Sequence, residues 1–369
     1  MAQELPGTVD PHSEEIKPPV TQVGVPGWVR SNLLSSPLNT CITLLIVLVL
    51  WKTVPPLVRW LLIDSLWTGS SEMCRNASGA CWAFIREKLR FILFGFYPYG
   101  DQWRPLLSMA VLVSMLLYSR DRKHWKRSLL YLWGLTGLVA VILMSGGILG
   151  LKKVEYEKWG GLPLTLFLSV IGIAGAYPLG ILLALGRRSS KPVLRAFCVV
   201  YIELIRGVPL ISLLFMSAVM FPLLLPEGVV VDKLLRAQAA IILFTAAYLA
   251  EVVRGGLQAI PKGQYEAATS LSLNYYQTLR RVILPQALRI VIPPTVNHFI
   301  GVVRDTSLVL IIALLDLLNT AKTALTDPNW LGFSSEAYLF VAVLYFILCY
   351  SMARYSRRLE RELHSDSPA

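Results

Sequence analysis

Apolar residues run along this chain in blocks too long and too uniform for an amphipathic soluble helix or a half-buried strand. A helix that crosses a bilayer needs about 20 largely apolar residues. Runs able to supply them lie at 39–58, 103–119, 128–149, 162–185, 197–225, 237–253, 290–318 and 337–354. The pattern predicts an all-α polytopic membrane protein with about eight spans, because a lone helix satisfies its own backbone in lipid. Residues 1–38 are rich in Pro, Glu and Ser and carry no apolar run of signal-peptide type, so they read as a disordered tail. Residues 356–369 read as a second polar tail, and neither internal repeats nor low-complexity tracts stand out.

Composition supports the pattern, and charge gives it a direction. Of 369 residues 55% are hydrophobic and only 16% charged, unlike an ordinary soluble domain. The formal net charge of +12 would suit nucleic acid if the basic residues shared a face. They sit instead in short clusters between membrane-length runs, as expected of cytoplasmic loops near anionic lipid, which excludes a nucleic-acid partner and implies the bilayer. Arg120, Arg122, Lys123, Lys126 and Arg127 fill the connection between the second and third runs, and Arg187, Arg188, Lys191 and Arg195 follow the fourth. Lys262, Arg280 and Arg281 lie in the segment 254–289, and Arg354, Arg357, Arg358 and Arg361 follow the last run. An even number of spans with both termini cytoplasmic places every cluster inside. The segment 59–102 and the stretches 151–158 and 327–335 then fall outside.

Cys41, Cys198 and Cys349 lie inside apolar runs, as small buried hydrophobes do. Cys74 and Cys81 lie seven positions apart in the expected outer segment, where a disulfide or two free thiols both fit the spacing. The four histidines show no metal-ligand spacing, and no phosphate-binding loop or nucleophile motif occurs. No metal site, no cofactor and no enzymatic chemistry is expected in this chain.

The segment 254–289 has the richest local grammar. Pro261 suits the first position of a helix, and Ala267, Ala268 and Leu271 fall on one small apolar face at helical spacing. Pro285 marks the passage into the next span. A short helix with an apolar knob and nothing of its own to bury against implies a partner surface.

Gly263, then Glu266-Ala267-Ala268, Leu271 and Ser272, then Leu284-Pro285 resemble the E-A-A coupling loop of ABC importer permeases. The strings Glu203-Leu204-Ile205-Arg206-Gly207-Val208-Pro209, Tyr248-Leu249-Ala250-Glu251-Val252-Val253-Arg254-Gly255-Gly256 and Arg304-Asp305-Thr306-Ser307-Leu308 resemble the polar amino-acid branch of that family. The likeness runs over about 160–362, in several motifs that keep their order. It implies a five-helix importer core of type I at 160–355, three extra spans at 39–159, and a bacterial inner-membrane location. It further implies a coupling loop that fits a groove on a separate ATPase dimer, where ATP and magnesium are bound. Cys74-Arg75, Gly79-Ala80-Cys81-Trp82-Ala83-Phe84 and Gly95-Phe96-Tyr97-Pro98 are similar to the outer insert of the larger permeases of general L-amino-acid systems. That likeness implies a second permease subunit, the same or a sister, and an extracytoplasmic amino-acid-binding protein. Ser272 stands where the family usually has glycine; a left-handed turn there costs a serine about 1 kcal/mol, and Asn274 two residues on tolerates such geometry better.

Charges inside a bilayer cost about 2.5–3.5 kcal/mol at mid-depth on insertion scales, so each asks for a reason. Glu203 and Arg206, and Glu251 and Arg254, are spaced to pair at i, i+3 near the cytoplasmic surface as interfacial ion pairs. Gly207 and Pro209 are placed to bend the chain at the entry to the fifth span. Arg304, Asp305, Thr306 and Ser307 fall near the middle of the seventh run, with Asn297 and His298 nearly two turns before them. They suit either a midplane site for an amino-acid zwitterion, or its gate, or a polar packing network at the seam between permeases. An importer permease driven by ATP on another chain explains the loop; an ion-gradient-driven secondary transporter is the alternative and leaves it unexplained.

Overall fold

The computed structural model describes residues 24–126, 128–148 and 150–365. The expected tail at 1–23, the basic residue Arg127 and the end at 366–369 lie outside them. Helices and short 3-10 or π turns make up nearly all of the described chain, with a single two-residue strand, β1, Leu315–Asp316. The all-α polytopic class therefore holds. Residues up to Cys81 form one compact unit, and those from Trp82 onward form a second.

The first unit contains α1, Gly24–Asn32, and α2, Pro37–Val58, which runs on as a π turn to Ile63. The tail expected to be disordered up to residue 38 is corrected here: Val25 and Val29 recur at helical spacing and 24–32 is helical. Ser36 caps α2 by accepting from the Asn39 N–H, with Pro37 at the first position. None of the described residues of α2 is buried, as befits a helix apolar on every side that is solvated by lipid. Beyond it comes α3, Ser71–Arg75. Cys74 and Cys81 are joined as a disulfide with Cα atoms 5.5 Å apart. Leu66 and Cys81 form a parallel bridge, and Ala80 donates to the Trp60 carbonyl at 2.8 Å.

The second unit begins with α4, Trp82–Phe94, followed by α5, Trp103–Ser119, and α6, Ser128–Ser145. The expected outer loop 59–102 is thus largely helical. Buried Arg104 caps α6: its Nε donates to Leu143 O at 2.8 Å and an Nη to Lys152 O at 2.9 Å, a cation at a helix C-terminus. The Tyr97 hydroxyl donates to Met144 O at 2.9 Å beside it.

Next come α7, Gly161–Arg187; α8, Pro192–Gly207; α9, Leu210–Phe215, continued through a π turn to α10, Phe221–Leu223; and α11, Lys233–Gln258. Helices α7 and α11 form the central pair. They approach so closely that a Cβ on Gly180 would lie 2.7 Å from Leu249 Cβ. Gly161 opens α7 at φ +66, and a Cβ there would fall 2.0 Å from Leu93 O of α4. Only glycine fits both demands, so α4 sits directly on the start of α7.

The chain continues with α12, Lys262–Ser270; α13, Tyr275–Thr278; α14, Leu284–Ile290; α15, Ile292–Asp305; α16, Leu317–Ala324; and α17, Ser334–Ser365. The polar segment expected from 356 continues α17 as helix up to Ser365. One apolar core joins Trp159, Leu164 and Phe167 to Leu214, Leu234 and Val309; a second joins Leu183, Cys198 and Ile202 to Leu249, Val253 and Val291.

Among the described residues, six helical stretches are long and apolar enough to cross a membrane: 37–63, 128–145, 161–187, 233–258, 292–312 and 334–362. Helix α8 with α9 and α10 supplies a seventh, bent by 102°. The run at 197–225 is therefore two helices, broken at Val208 and Pro209, both extended. The one expected span left over, the second run, is α5, which has 17 residues and at 1.5 Å per residue is about 26 Å long, shorter than the hydrocarbon core of about 30 Å. The run at 290–318 also divides: α15 tightens into a 3-10 turn over Thr306–Ile312, then turns back at left-handed Ala313.

Candidate functional site

Helix α12 begins after Pro261 and ends at Ser270, capped by Leu271; Ser272 follows at φ 55. The left-handed turn thus falls on the serine itself. Asn274 is extended and caps α13, trading hydrogen bonds with Gln277 in a capping box. The expected apolar face is corrected. Ala268 is buried at 2% exposure, whereas Ala267 is exposed and Leu271 is 74% exposed. Ala268 pins the helix to its own protein, because residues at i and i+1 point in different directions on a helix. Glu266 and Gly263 are exposed, Pro285 is exposed and Leu284 half-buried. Leu271, Tyr275 and Tyr276 all stand out from the turn and the start of α13. Gln286 donates to Gln264 Oε1 at 3.1 Å, tying α14 to α12.

The chain belongs to a known transport family. Its model, described as binding-protein-dependent transport system inner membrane component, matches residues 176–365. The inner membrane amino-acid ABC transporter permease protein YhdY of Escherichia coli is 47% identical over 92% of this chain and 93% of its own length. The glutamate/glutamine/aspartate/asparagine transport system permease protein BztC of Rhodobacter capsulatus is 38% identical over 94% and 96%. A crystal structure of an amino acid ABC transporter with histidines is 28% identical with a TM-score of 0.50, covering 55% of this chain and 92% of that one. The expectation of a permease of the polar amino-acid ABC branch holds, as does a multi-pass inner-membrane location. These relatives are ABC importer permeases, which removes the secondary-transporter alternative. Permeases of this kind work with an ATPase, a second permease and a binding protein.

In this permease the four charged residues expected as two local pairs form a wider network. Glu251 accepts from its neighbour Arg254 at 2.7 and 2.9 Å, as the spacing predicts. Glu203 does not pair with Arg206; it meets Arg187 at 2.8 Å. Arg187 also reaches Glu251 at 2.5 Å, and Arg206 lies 3.6 Å from the other Glu251 oxygen. The i, i+3 expectation for Glu203 and Arg206 fails because the end of α7 supplies a closer cation. Arg187 went unrecognised in the sequence, where it reads as one more basic residue of a loop.

The residues expected near the middle of the seventh run do not converge. Arg304 and Asn297 are exposed and seven apart, so they share a face of α15; Asp305 and His298 are half-buried and also seven apart, on another. Thr306 is buried and donates to Val303 O at 2.8 Å, and Ser307 donates to Arg304 O at 2.9 Å. His298 stacks on Tyr248 of α11, with ring centres 5.5 Å apart.

The 3-10 turn is held from behind by buried Asp316. It accepts from the Tyr345 hydroxyl at 2.8 Å and from Asn319 N and Nδ2 at 3.1 and 2.5 Å. Asn319 Nδ2 donates onward to Ser307 O at 2.9 Å. Thr320, next along α16, donates to Ile92 O of α4 at 2.7 Å. Sequence reading missed this set, since Asp316 and Tyr345 are 29 positions apart and look like isolated polar residues in apolar runs.

Proposed function

We propose that this chain lines the path of an ATP-driven amino-acid importer and that α12 with its turn is where the separate ATPase docks. The carrying observation is that α12 exposes Glu266, Ala267 and Leu271 while Ala268 anchors it. A surface with Leu271, Tyr275 and Tyr276 standing clear is shaped to enter a groove on another protein. The basic clusters at 120–127, 187–195, 262–281 and 354–361 support an orientation with α12 and both termini in the cytoplasm. A second permease subunit, the same or a sister, completes the path, and a loaded binding protein delivers a polar amino acid from outside. The names of the relatives that match over nearly the whole length support that substrate class. Arg304 and Asn297, facing outward from α15, are assigned to the path or its gate, with Asp305, Thr306, Ser307 and His298 supporting them from within.

The test is co-purification with the ATPase, followed by uptake in proteoliposomes. Leu271→Asp is expected to cut ATPase recovery at least tenfold, with the permease still monodisperse. Full recovery and full uptake would contradict docking at this turn.

A further inference from the structure

The charged network lies between α12 and the break between α8 and α9. On one side is α12. Arg188, at the end of α7, donates to the Tyr265 hydroxyl of α12 at 3.4 Å and to Leu257 O of α11 at 3.2 Å. On the other side is the break in the fifth run, between α8 and α9: Arg206 lies two residues before extended Val208, and the two helices diverge there by 102°. Between them Glu251 meets arginines from the ends of α7, α8 and α11, and Glu203 holds the first of these from α8.

The Glu251 side chain is only 15% exposed and that of Arg187 22%, so water screens these pairs less than an ordinary surface pair. Exposed pairs contribute little, but networks with several shared partners are the exception. Coulomb attraction falls as 1/r and depends weakly on angle, whereas a packing contact forfeits roughly a quarter to a half of its attraction over a gap of about 0.5–1 Å. A hub of charges can therefore keep three helix ends together while they tilt. Beyond the break, Leu210 and Leu214 of α9 pack in one core with Val309 and Ile312 of the 3-10 turn that follows Arg304 and Asp305. Arg206 also lies over the Tyr248 ring at 5.5 Å, and that ring stacks on His298 of α15.

We infer that the Glu251 hub, with Arg187, Arg188, Glu203 and Arg206, is the link that makes the broken span move with α12. Glu251 is a positioning residue: it touches no substrate and acts by holding Arg187 and Arg206 in one place. The inference rests on the reading of the chain as an ATP-driven permease. When the hub is loosened, ATP is still hydrolysed but the hinge at Val208 no longer follows.

The test uses the full complex of permeases, ATPase and loaded binding protein in proteoliposomes, with radiolabelled glutamine as the probe. ATP hydrolysed per glutamine imported is measured for wild type, Glu251→Gln, Glu251→Asp and Arg188→Gln. Expected are a rise of at least fivefold for Glu251→Gln at undiminished ATPase recovery, partial recovery with Glu251→Asp, and a twofold to threefold rise for Arg188→Gln. Arg188 is exposed, so its variant reports even if Glu251→Gln does not fold. An unchanged ratio in Arg188→Gln, or uptake and hydrolysis falling together in Glu251→Gln, would overturn the inference. Wild type that imports glutamine without ATP would instead sink the underlying reading of the chain.

Discussion

Two carboxylates sit among the helices of this permease and are satisfied in opposite ways. Glu251 is surrounded by three arginines from three helix ends, while Asp316 is wholly buried and held by neutral donors, the Tyr345 hydroxyl and Asn319. Neutral hydrogen bonds are short-ranged and directional, so the Asp316 set fixes one geometry of the 3-10 turn and α16. Ion pairs tolerate changes of distance, so the Glu251 set permits movement while keeping its members together. On the proposed function, the Asp316 set would act as a rigid brace and the Glu251 set as a compliant hub near α12.

The comparison breaks most visibly at Asp316. Asp316→Ala removes the acceptor shared by the Tyr345 hydroxyl and the Asn319 backbone N–H and side chain and should destabilise the fold by about 3 kcal/mol. A thermal unfolding curve in detergent reads this as a clear fall in Tm, with uptake lost together with folded protein. An unchanged Tm would show that the brace carries no load. Glu251→Gln should differ by lowering Tm less than Asp316→Ala does while spoiling coupling.

A smaller effect is expected at the turn of the coupling loop. Ser272 sits at φ 55, where a side chain costs about 1 kcal/mol that glycine does not incur. Ser272→Gly should hold or slightly raise Tm with ATPase recovery intact, and Ser272→Val should lower both. A drop for the glycine variant would mean that the serine hydroxyl matters more than the backbone angle.

The smallest concerns the contact between α4 and the loop before α17. Lys88 meets Asp327 at 2.5 Å. This hydrogen bond, helped by the Asn329 N–H, holds the Asp327 carboxyl below its usual range. A lowered folded pKa gives a contribution present above the ordinary carboxylate range and lost as pH falls through the folded value. The small Tm difference between wild type and Lys88→Gln should therefore be present at neutral pH and vanish in acid. A difference that persists in acid would assign it to packing of the lysine stem.

Much of the coupling loop was legible because its signals are local. Pro261 opens a helix, the E-A-A string follows at fixed spacing, and a turn was expected about Ser272 and Asn274. What failed there was a facing problem: Ala267 and Ala268 looked alike, and only the packing of α12 against its own protein separates the buried one from the exposed one. The pairing of Glu251 with Arg254 was likewise local and was found, while that of Glu203 was misassigned because Arg187 comes from another helix.

The sequence alone determined that the chain crosses a membrane and roughly where, since length and apolarity are properties of neighbours along the chain. It did not determine that the fifth run is two helices set at 102°, that α5 is short, or that the tails carry helix. Nor did it bring Asp316 to Tyr345 or Arg187 to Glu251. Those contacts join residues 29 and 64 positions apart. Periodicity holds no information about them, and only the packing of one helix against another decides which charge finds which partner.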